Sequence, residues 1–247
     1  MKILTVVGAR PQFIKAALLS EAIRKTGKSG RIREVFVNTG QHYDFGMAQR
    51  FFEELSIPEP DYDLKVGPMS PVTQTSEIMR RLEKILGKEK PDMVLVYGDT
   101  NSTLAGALTA VRRGIPVAHV EAGLRSFDKA MPEEVNRVMT DHISSFLFCP
   151  TAGAVNNLRK ENVTRGVYNT GDIMYELAMK MDKTASRKSK IMGEVGVCPG
   201  EYILATIHRQ SNTDDPANLK AIVSAFLRIK GTIVLPVHPR TKKMLKK

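Results

Sequence analysis

Short runs of apolar and β-branched residues alternate along the chain with segments whose apolar residues recur every three or four positions. The first pattern is typical of strands and the second of helices. Six runs predict strands at 3–7, 34–38, 93–97, 116–120, 146–149 and 167–169. Because this alternation indicates βαβ units, we predict an α/β fold with a doubly wound parallel sheet that extends to about residue 171.

The segments between these strands carry helix start signals and amphipathic spacing. Helices are predicted to begin after Pro11, after Pro71 and after Thr100, and a further helix is predicted at 133–143. Apolar spacing predicts which side of the last two helices is buried. The positions expected to face inward are Leu104, Ala107, Leu108 and Val111 in one helix and Val135, Val138 and Met139 in the other.

The alternation is interrupted once. A predicted helix at 173–181 is followed by the polar, basic stretch 182–190, which we interpret as a linker. The expected organisation is an N-terminal domain at 1–171, a helix and basic linker at 172–190, and a partial C-terminal domain at 191–247. That last part holds one strand–helix–strand unit, whose strands lack neighbours, so we expect the second domain to be truncated.

Composition and charge narrow the class of protein. The 247 residues are 42% hydrophobic and 26% charged, which is ordinary for a globular chain and excludes disordered and collagen-like classes. Most of the net charge of +11 lies in 183–190 and 240–247, which contain neither acidic nor aromatic residues. We interpret both segments as solvated chain rather than as a nucleic-acid surface.

Cysteine spacing and hydropathy bear on cofactors and location. Cys149 and Cys198 lie far apart without a CxxC pair, and no His, Cys and Asp spacing suggests a catalytic metal. The apolar run at the N-terminus ends at Arg10, which is too short for a signal peptide, and no run reaches membrane-spanning length. We therefore expect a cytoplasmic protein without metal, cofactor or membrane association.

Polar residues follow the predicted strands repeatedly. The clusters after successive strands lie at 8–11, 39–42, 98–101, 121–125, 208–209 and 238–240. Ligands of open α/β sheets bind at the carboxyl ends of the strands. Six such clusters from two sheets predict a ligand cleft between two domains.

The first cluster suits a phosphate group. Arg10 and Lys15 add positive charge to the amides of a helix N-terminus. The alternative is that both side chains lie on a solvated helix end. Asp99 also has two interpretations, as a functional carboxylate or as the N-cap of the following helix.

Three further acidic residues are candidates for chemistry. Glu121 directly follows an apolar strand, where a carboxylate is costly unless it is partnered or functional. Glu133 and Glu134 follow Pro132, and a favourable interaction with the helix dipole could alone explain them.

The histidines divide into two groups. His208 precedes Arg209 at a strand end, where the two side chains could hold an anionic group such as a diphosphate. His119 lies within a predicted strand and His142 on a helix, and we interpret both as structural.

These motifs together resemble one family. The segments are GARPQFIK (8–15), NTGQHYD (38–44), FFEELSIPEPDYDL (51–64), VLVYGDTNSTLAGAL (94–108), VAHVEAGLRS (117–126), MPEEVNR (131–137), NTGD (169–172), ATIHRQSNTDD (205–215) and PVHPRT (236–241). In this order they closely resemble the non-hydrolysing UDP-N-acetylglucosamine 2-epimerases. The resemblance covers essentially the whole chain.

The resemblance implies a fold of two Rossmann-like domains, as in GT-B glycosyltransferases, and an isomerase that needs no cofactor. Such enzymes invert C2 of a UDP-sugar by eliminating UDP and adding it back. By motif, Asp99, Glu121 and Glu133 would be catalytic carboxylates and His208 would stabilise or protonate the departing UDP. The same matches place Arg10 and Lys15 at the nucleotide or substrate.

Bacterial members of this family also carry a second UDP-sugar site. Its residues would correspond to Gln41, His42, Arg209 and His238. Asp44 departs from the pattern, because those members usually have glutamine at this position. The resemblance also implies a homodimer that associates through the first domain.

Other functions stay open at the level of sequence. A hydrolysing epimerase would release free N-acetylmannosamine instead of the UDP-sugar. The family's second domain continues beyond PVHPRT with a Ser-Gly-Gly-type loop that grips the nucleotide, so a catalytically silent binding module is the other alternative.

Overall fold

A computed structural model describes residues 1–27, 31–41, 57, 59–207, 210–237 and 239–245. The chain divides into two compact units, Met1–Lys180 and Met181–Lys247. The strands of the first unit are β1 (Lys2–Val7), β2 (Arg33–Asn38), β3 (Tyr62–Asp63), β4 (Met93–Tyr97), β5 (Val117–Val120), β6 (Phe146–Cys149) and β7 (Val167–Asn169). The helices that begin in it are α1 (Arg10–Gly27), α2 (Pro71–Glu89), α3 (Asn101–Arg112), α4 (Pro132–Ile143), α5 (Ala152–Lys160) and α6 (Ile173–Lys188).

The seven strands form one parallel sheet in the order β3-β2-β1-β4-β5-β6-β7. The predicted doubly wound α/β class is therefore confirmed. Strand order reverses between β1 and β4, and ligands of such sheets bind beside this switch point. The two-residue strand β3 was not predicted, because it lacks an apolar run.

The central strands are buried on both faces, as expected when helices cover both sides of a parallel sheet. Leu4, Val6 and Val96 point towards α2 and α3, where they pack with residues such as Leu82. Their sequence neighbours on β1 and β4 point to the other face and pack with Phe13 of α1.

Helix α3 does not bury the residues that its apolar spacing predicts. Leu104 and Leu108 are half-buried and Val111 is exposed, whereas Ala107 is buried as expected. Small residues fill the face towards the sheet. A Cβ on Gly106 would lie 3.1 Å from Cγ1 of Val96, so the helix backbone approaches the strands too closely for large side chains.

Helix α4 differs even more from its prediction. Val135 and Met139 are exposed and Val138 is half-buried. The buried residues of α4 are Glu134, Asn136, Thr140 and Asp141. The physical reason is that several of these side chains hydrogen-bond to loops at the carboxyl edge of the sheet, as described below.

The second unit contains a pair of parallel strands, β8 (Tyr202–Leu204) and β9 (Thr232–Val234), in which Ile203 pairs with Ile233. Its helices are α7 (Ile191–Val195), α8 (Gln210–Thr213), α9 (Pro216–Arg228) and α10 (Pro239–Leu245). The apolar runs at 202–207 and 232–237 predict both strands, and each observed strand is shorter than its run. Asp215 caps α9, accepting a hydrogen bond from the N–H of Ala217 at 2.8 Å.

The segment 182–190, predicted as a linker, is helical up to Lys188, because α6 continues beyond Met181. No glycine or proline interrupts this stretch, and its Lys, Arg and Ala residues favour helix. The predicted domain boundaries stay a prediction. Among the described residues, no helix combines the length and apolar character needed to cross a membrane.

Candidate functional site

The polar residues at the carboxyl ends of β1, β4 and β5 converge beside the switch point of the sheet. Glu121, which follows β5, forms an ion pair with Lys15 of α1. Their side chains are 22% and 11% exposed, respectively. Lys15 therefore does not lie on a solvated helix end, and this alternative is excluded for it.

Gly98 lets this ion pair form where it does. Its φ is +60°, and an added Cβ would lie 3.2 Å from Oε2 of Glu121 and 3.3 Å from Nζ of Lys15. Glycine suits this turn both because of its backbone conformation and because of the nearby charged groups.

Glu121 itself has a left-handed backbone, with φ +74°. Its N–H and that of Ala122 both donate to the carbonyl oxygen of Phe148, at 3.0 and 3.1 Å. A left-handed conformation costs a residue with a side chain about 1–2 kcal/mol. Strained residues of this kind cluster at functional sites, where the surrounding structure fixes them.

The carboxylate of Asp99 is also paired with a cationic side chain. Its carboxylate pairs with Arg137 of α4, and its backbone carbonyl accepts a hydrogen bond from Nδ2 of Asn136 at 3.0 Å. The N-cap of α3 is Thr100, which accepts from the N–H of Thr103. The alternative interpretation of Asp99 as the cap is therefore excluded, and its carboxylate faces α4.

The neighbouring residues Glu133 and Glu134 have opposite environments. Glu134 is buried and accepts hydrogen bonds at 2.9 Å from the N–H groups of Ser126 and Phe127 and from the Ser126 hydroxyl. Burial alone would raise the pKa of Glu134, but these donors and Arg137 hold it below its ordinary value. Glu133 is exposed, and its carboxylate forms no hydrogen bond or ion pair with any residue that the structure describes.

A buried ionic network lies behind the Asp99 and Glu121 loops. His119 of β5 contacts the Gly98 carbonyl through Nε2 and Oδ1 of Asp141 through Nδ1, both at 2.7 Å. Oδ2 of Asp141 accepts from the N–H of Gly123 at 3.0 Å and from Nη1 of Arg125 at 2.7 Å. Burial would raise the pKa of Asp141, but His119 and Arg125 hold it below its ordinary value.

Arg125 extends the network outwards. It binds Glu161 through two hydrogen bonds, at 2.7 and 2.8 Å, and this bidentate contact lowers the pKa of Glu161. His142 contacts the same carboxylate at 2.8 Å from a half-exposed position. The network thus runs from the fully buried His119 to the surface.

The remaining predicted binding residues are placed as follows. Arg10 is the first residue of α1 and is exposed. The amides of Gly8 and Ala9 donate to Oε1 of Gln12 at 2.8 and 3.0 Å, so they do not point freely towards a ligand. Gln41 accepts at its side-chain oxygen from the N–H of Ser102 at 3.0 Å, at the start of α3. His42, Asp44, His208, Arg209 and His238 lie outside the described residues.

A cavity of about 440 Å³ opens beside Glu121. This volume is within the range of small-molecule sites. Its apolar walls include Leu19, Phe148 and Ile173, and Asp172 and Glu176 contribute carboxylates. Among the described residues, no group of three or more His, Cys, Asp or Glu side chains could hold a metal ion.

Sequence reasoning missed the partners of the candidate carboxylates. Arg137 and Asn136 hold Asp99, and Asp141 holds Gly123 and Arg125. The missing signal was helical spacing of charge, because positions 134, 137 and 141 share one side of a helix. The roles of the predicted site residues stay predictions.

The geometry defines a doubly wound α/β protein with paired carboxylates and cations at its switch point. The sequence model of the family described as UDP-N-acetylglucosamine 2-epimerase matches residues 24–247. The chain belongs to this family. The predicted family, and with it an isomerase that epimerises a UDP-sugar at C2, is confirmed, and the hydrolysing alternative gains no specific support.

Similar proteins agree with this assignment. A UDP-N-acetylglucosamine 2-epimerase homolog of Methanococcus maripaludis is 52% identical over all of this chain and 68% of its own length. The UDP-2,3-diacetamido-2,3-dideoxy-D-glucuronate 2-epimerase of Pseudomonas aeruginosa is 46% identical over all of this chain and 69% of its own. The crystal structure of Methanocaldococcus jannaschii UDP-GlcNAc 2-epimerase with UDP-GlcNAc and UDP superposes with a TM-score of 0.89 at 43% identity, covering all of this chain and 68% of that one.

Proposed function

We propose that this chain interconverts UDP-N-acetylglucosamine, or a close relative such as its diacetamido uronic acid, with the C2 epimer. The observation that carries the proposal is the pairing of two carboxylates with two cations at the switch point: Glu121 with Lys15 and Asp99 with Arg137. The M. jannaschii relative, whose crystal structure holds UDP-GlcNAc and UDP, supports this class of substrate.

The chemistry of the reaction explains why the site needs both carboxylates and cations. The hydrogen at C2 of the sugar is not acidic, so its removal must accompany departure of UDP from C1. A carboxylate takes the C2 proton, the released electron pair forms the C1–C2 double bond, and the C1–O bond to UDP breaks. Cations near the diphosphate stabilise the charge that develops on the leaving group.

Formation of the C2 epimer from this intermediate requires a group that donates a proton to C2. The UDP oxygen adds to C1 and a proton is delivered to the opposite face of C2, which a second carboxyl group can supply. We assign these two roles to members of the set Asp99, Glu121 and Glu133, and protonation or stabilisation of the departing UDP to His208. Arg10 and Lys15 serve the nucleotide or substrate.

We further propose that the protein is a cytoplasmic homodimer that associates through its first unit. The exposed apolar residues Val135 and Met139 support this contact, because they lie one turn apart on α4 and adjacent apolar side chains at a surface often mark interfaces. Both cysteines are free, as expected in a reducing compartment.

Incubation of the protein with UDP-N-acetylglucosamine in deuterated water tests the function. We expect UDP-N-acetylmannosamine that carries deuterium at C2, identified by NMR spectroscopy and mass spectrometry. Free N-acetylmannosamine would instead identify a hydrolysing enzyme. Absence of both exchange and product, with UDP still bound in calorimetry, would identify a silent binding module.

A pair of variants links the reaction to the site. Glu121→Gln keeps the size of the side chain and should reduce exchange by about 10²-fold or more, as for loss of a general base. Glu83→Gln is the control, because Glu83 is an exposed carboxylate on α2 with a loose contact of 3.6 Å to Arg113. If both variants lost the same fraction of exchange activity, Glu121 would have no specific role in the reaction.

A further inference from the structure

We propose that His119 is a positioning residue: a buried imidazolium, with a hydrogen on each ring nitrogen, that holds the Asp99 loop and the Glu121 loop at a fixed separation. The positioning role rests on the proposed function, because it concerns the two carboxylates assigned there. The protonation state rests on geometry alone.

The first ring nitrogen must donate. Nε2 of His119 lies 2.7 Å from the carbonyl oxygen of Gly98, which has lone pairs and no hydrogen. A contact of this length is a hydrogen bond only if Nε2 carries the hydrogen. A neutral ring with its single hydrogen on Nε2 could make this contact. The ring is charged only if Nδ1 carries a hydrogen as well.

The second nitrogen faces a carboxylate that has no hydrogen to offer. Nδ1 of His119 lies 2.7 Å from Oδ1 of Asp141. The other oxygen of Asp141 already accepts from the Gly123 N–H and the Arg125 guanidinium, and these donors favour the ionised carboxylate. An unprotonated Nδ1 would therefore face an anion across a short contact with lone pairs on both sides. Hence Nδ1 also carries a hydrogen.

Charge balance permits an imidazolium at this depth. His119 and Asp141 are fully buried, and the Arg125 side chain is almost so. Arg125 is matched in turn by Glu161. A buried cation is tolerated only when it is paired and hydrogen-bonded, and both conditions are met here.

The ring connects the two loops that carry the candidate carboxylates. Gly98 immediately precedes Asp99; its N–H donates to the Val120 carbonyl at 3.0 Å, and its carbonyl accepts from His119. The turn is thus fixed from both sides by β5. On the other loop, Asp141 fixes Gly123, two residues after Glu121. One imidazolium and its counter-ion therefore hold both loops.

The first test measures the protonation state in the unsubstituted protein, and the variant His119→Gln serves only to assign the signals. The protein is labelled with ¹⁵N-histidine, and its five histidines are observed by NMR spectroscopy at the pH of the activity assay. We expect one ring with hydrogens on both nitrogens, and we expect His119→Gln to remove its signals. A neutral ring at this position would overturn the proposal, whether or not the protein is active.

The second test reads positioning with a matched pair of variants. His119→Gln removes the link between the two loops, whereas His142→Gln removes a half-exposed contact at the outer end of the same network. We expect kcat for C2 exchange to fall by about 10²-fold in His119→Gln with KM nearly unchanged, since a small misplacement of reacting groups has effects of that size. His142→Gln should retain the activity of the parent chain.

Amide hydrogen exchange makes this second test independent of activity. In folded His119→Gln, the amides at 98–100 and 123–125 should exchange faster, while those of the distant strand β2 should not change. Unchanged exchange at both loops, or unchanged kcat, would show that His119 is only a core residue. The two proposals can also be separated. If the parent chain is inactive, the proposed function is contradicted. The ionic link is still supported if His119 is doubly protonated and His119→Gln increases exchange at both loops.

Discussion

Helices α3 and α4 lie side by side on the same face of the sheet, yet they bury opposite kinds of residue. Helix α3 turns Ala107, Gly106 and other small residues towards the strands. Helix α4 buries Glu134, Asn136 and Asp141, and exposes Val135. The two helices thus satisfy the same need for burial by different physical means.

The difference follows from what each helix contacts. Helix α3 packs on strand side chains such as Val96, where close approach and dispersion matter. Helix α4 meets loops as well as strand β5. Its buried polar atoms pair with Ser126, Gly123 and Asp99 of the loops and with His119 of β5. Buried polar groups need such partners. Helix α3 therefore supports the sheet, and helix α4 supports the site.

The largest effect should come from removing a charge on α4. Asp141→Ala leaves His119 and Arg125 without their shared counter-ion, which should lower the free energy of unfolding by about 3–5 kcal/mol. Chemical denaturation measures this loss. Asp182→Ala on the exposed side of α6 is the control, with an expected change within about 0.5 kcal/mol. A small loss in Asp141→Ala would show that α4 is not held by its charges.

A smaller loss is expected from overpacking α3. Gly106→Val forces side-chain atoms against Val96 and Val6, which typically costs about 1–3 kcal/mol. Gly153→Val provides the comparison, because a Cβ there meets only Oγ1 of Thr151 at an ordinary 3.6 Å. The folded fraction of Gly106→Val should still catalyse C2 exchange. If Gly106→Val lost C2 exchange activity but not stability, α3 would also support the site, and the distinction between the roles of the two helices would be wrong.

Glu134→Gln should cost about 1–3 kcal/mol, because an amide cannot accept all three hydrogen bonds that the carboxylate accepts. The folded-state pKa of Glu134 is lowered, so its stabilisation is complete above its ordinary pKa and is lost as pH falls through the folded value. Unfolding curves at neutral and acidic pH should therefore show a smaller acid effect in the variant.

The adjacent Glu133 is the matched control for this measurement. Glu133→Gln should change the unfolding free energy by no more than about 0.5 kcal/mol at any pH, since the side chain is exposed. If both variants lost the same unfolding free energy on acidification, the buried contacts of Glu134 would not be the cause of the acid sensitivity.

The smallest effect on folding should come from the outer side of α4. Val135→Ser changes an exposed side chain and should alter monomer stability by no more than about 0.5 kcal/mol. If this side forms the proposed dimer contact, sedimentation should show dissociation in the variant. Unchanged association would place the contact elsewhere.

Much of the first unit's fold could be predicted from its strands. Buried parallel strands are continuous apolar runs, and the predicted 93–97 and 146–149 match β4 and β6. The buried side of α4 could not be predicted in the same way. Apolar spacing assigns Val135 inwards, whereas the groups that bind this helix lie in other segments, some nearby, such as Ser126, and some distant, such as Asp99.

The site was predictable as a location more than as a set of contacts. Strand ends placed Asp99 and Glu121 at the same edge of the sheet, because parallel strands share direction. The pairing of Glu121 with Lys15 joins residues 106 positions apart, and nothing local encodes it. Asp99 and Thr100 are both good cap residues, so only the structure could separate their roles.

The left-handed backbone of Glu121 has an evolutionary consequence. Glycine would adopt this φ of +74° without penalty, whereas glutamate carries a conformational cost of about 1–2 kcal/mol. A lineage that no longer needed the acid group would gain by exchanging it for a more permissive residue. Retention of glutamate at this position is therefore what the proposed catalytic role of its carboxyl group requires.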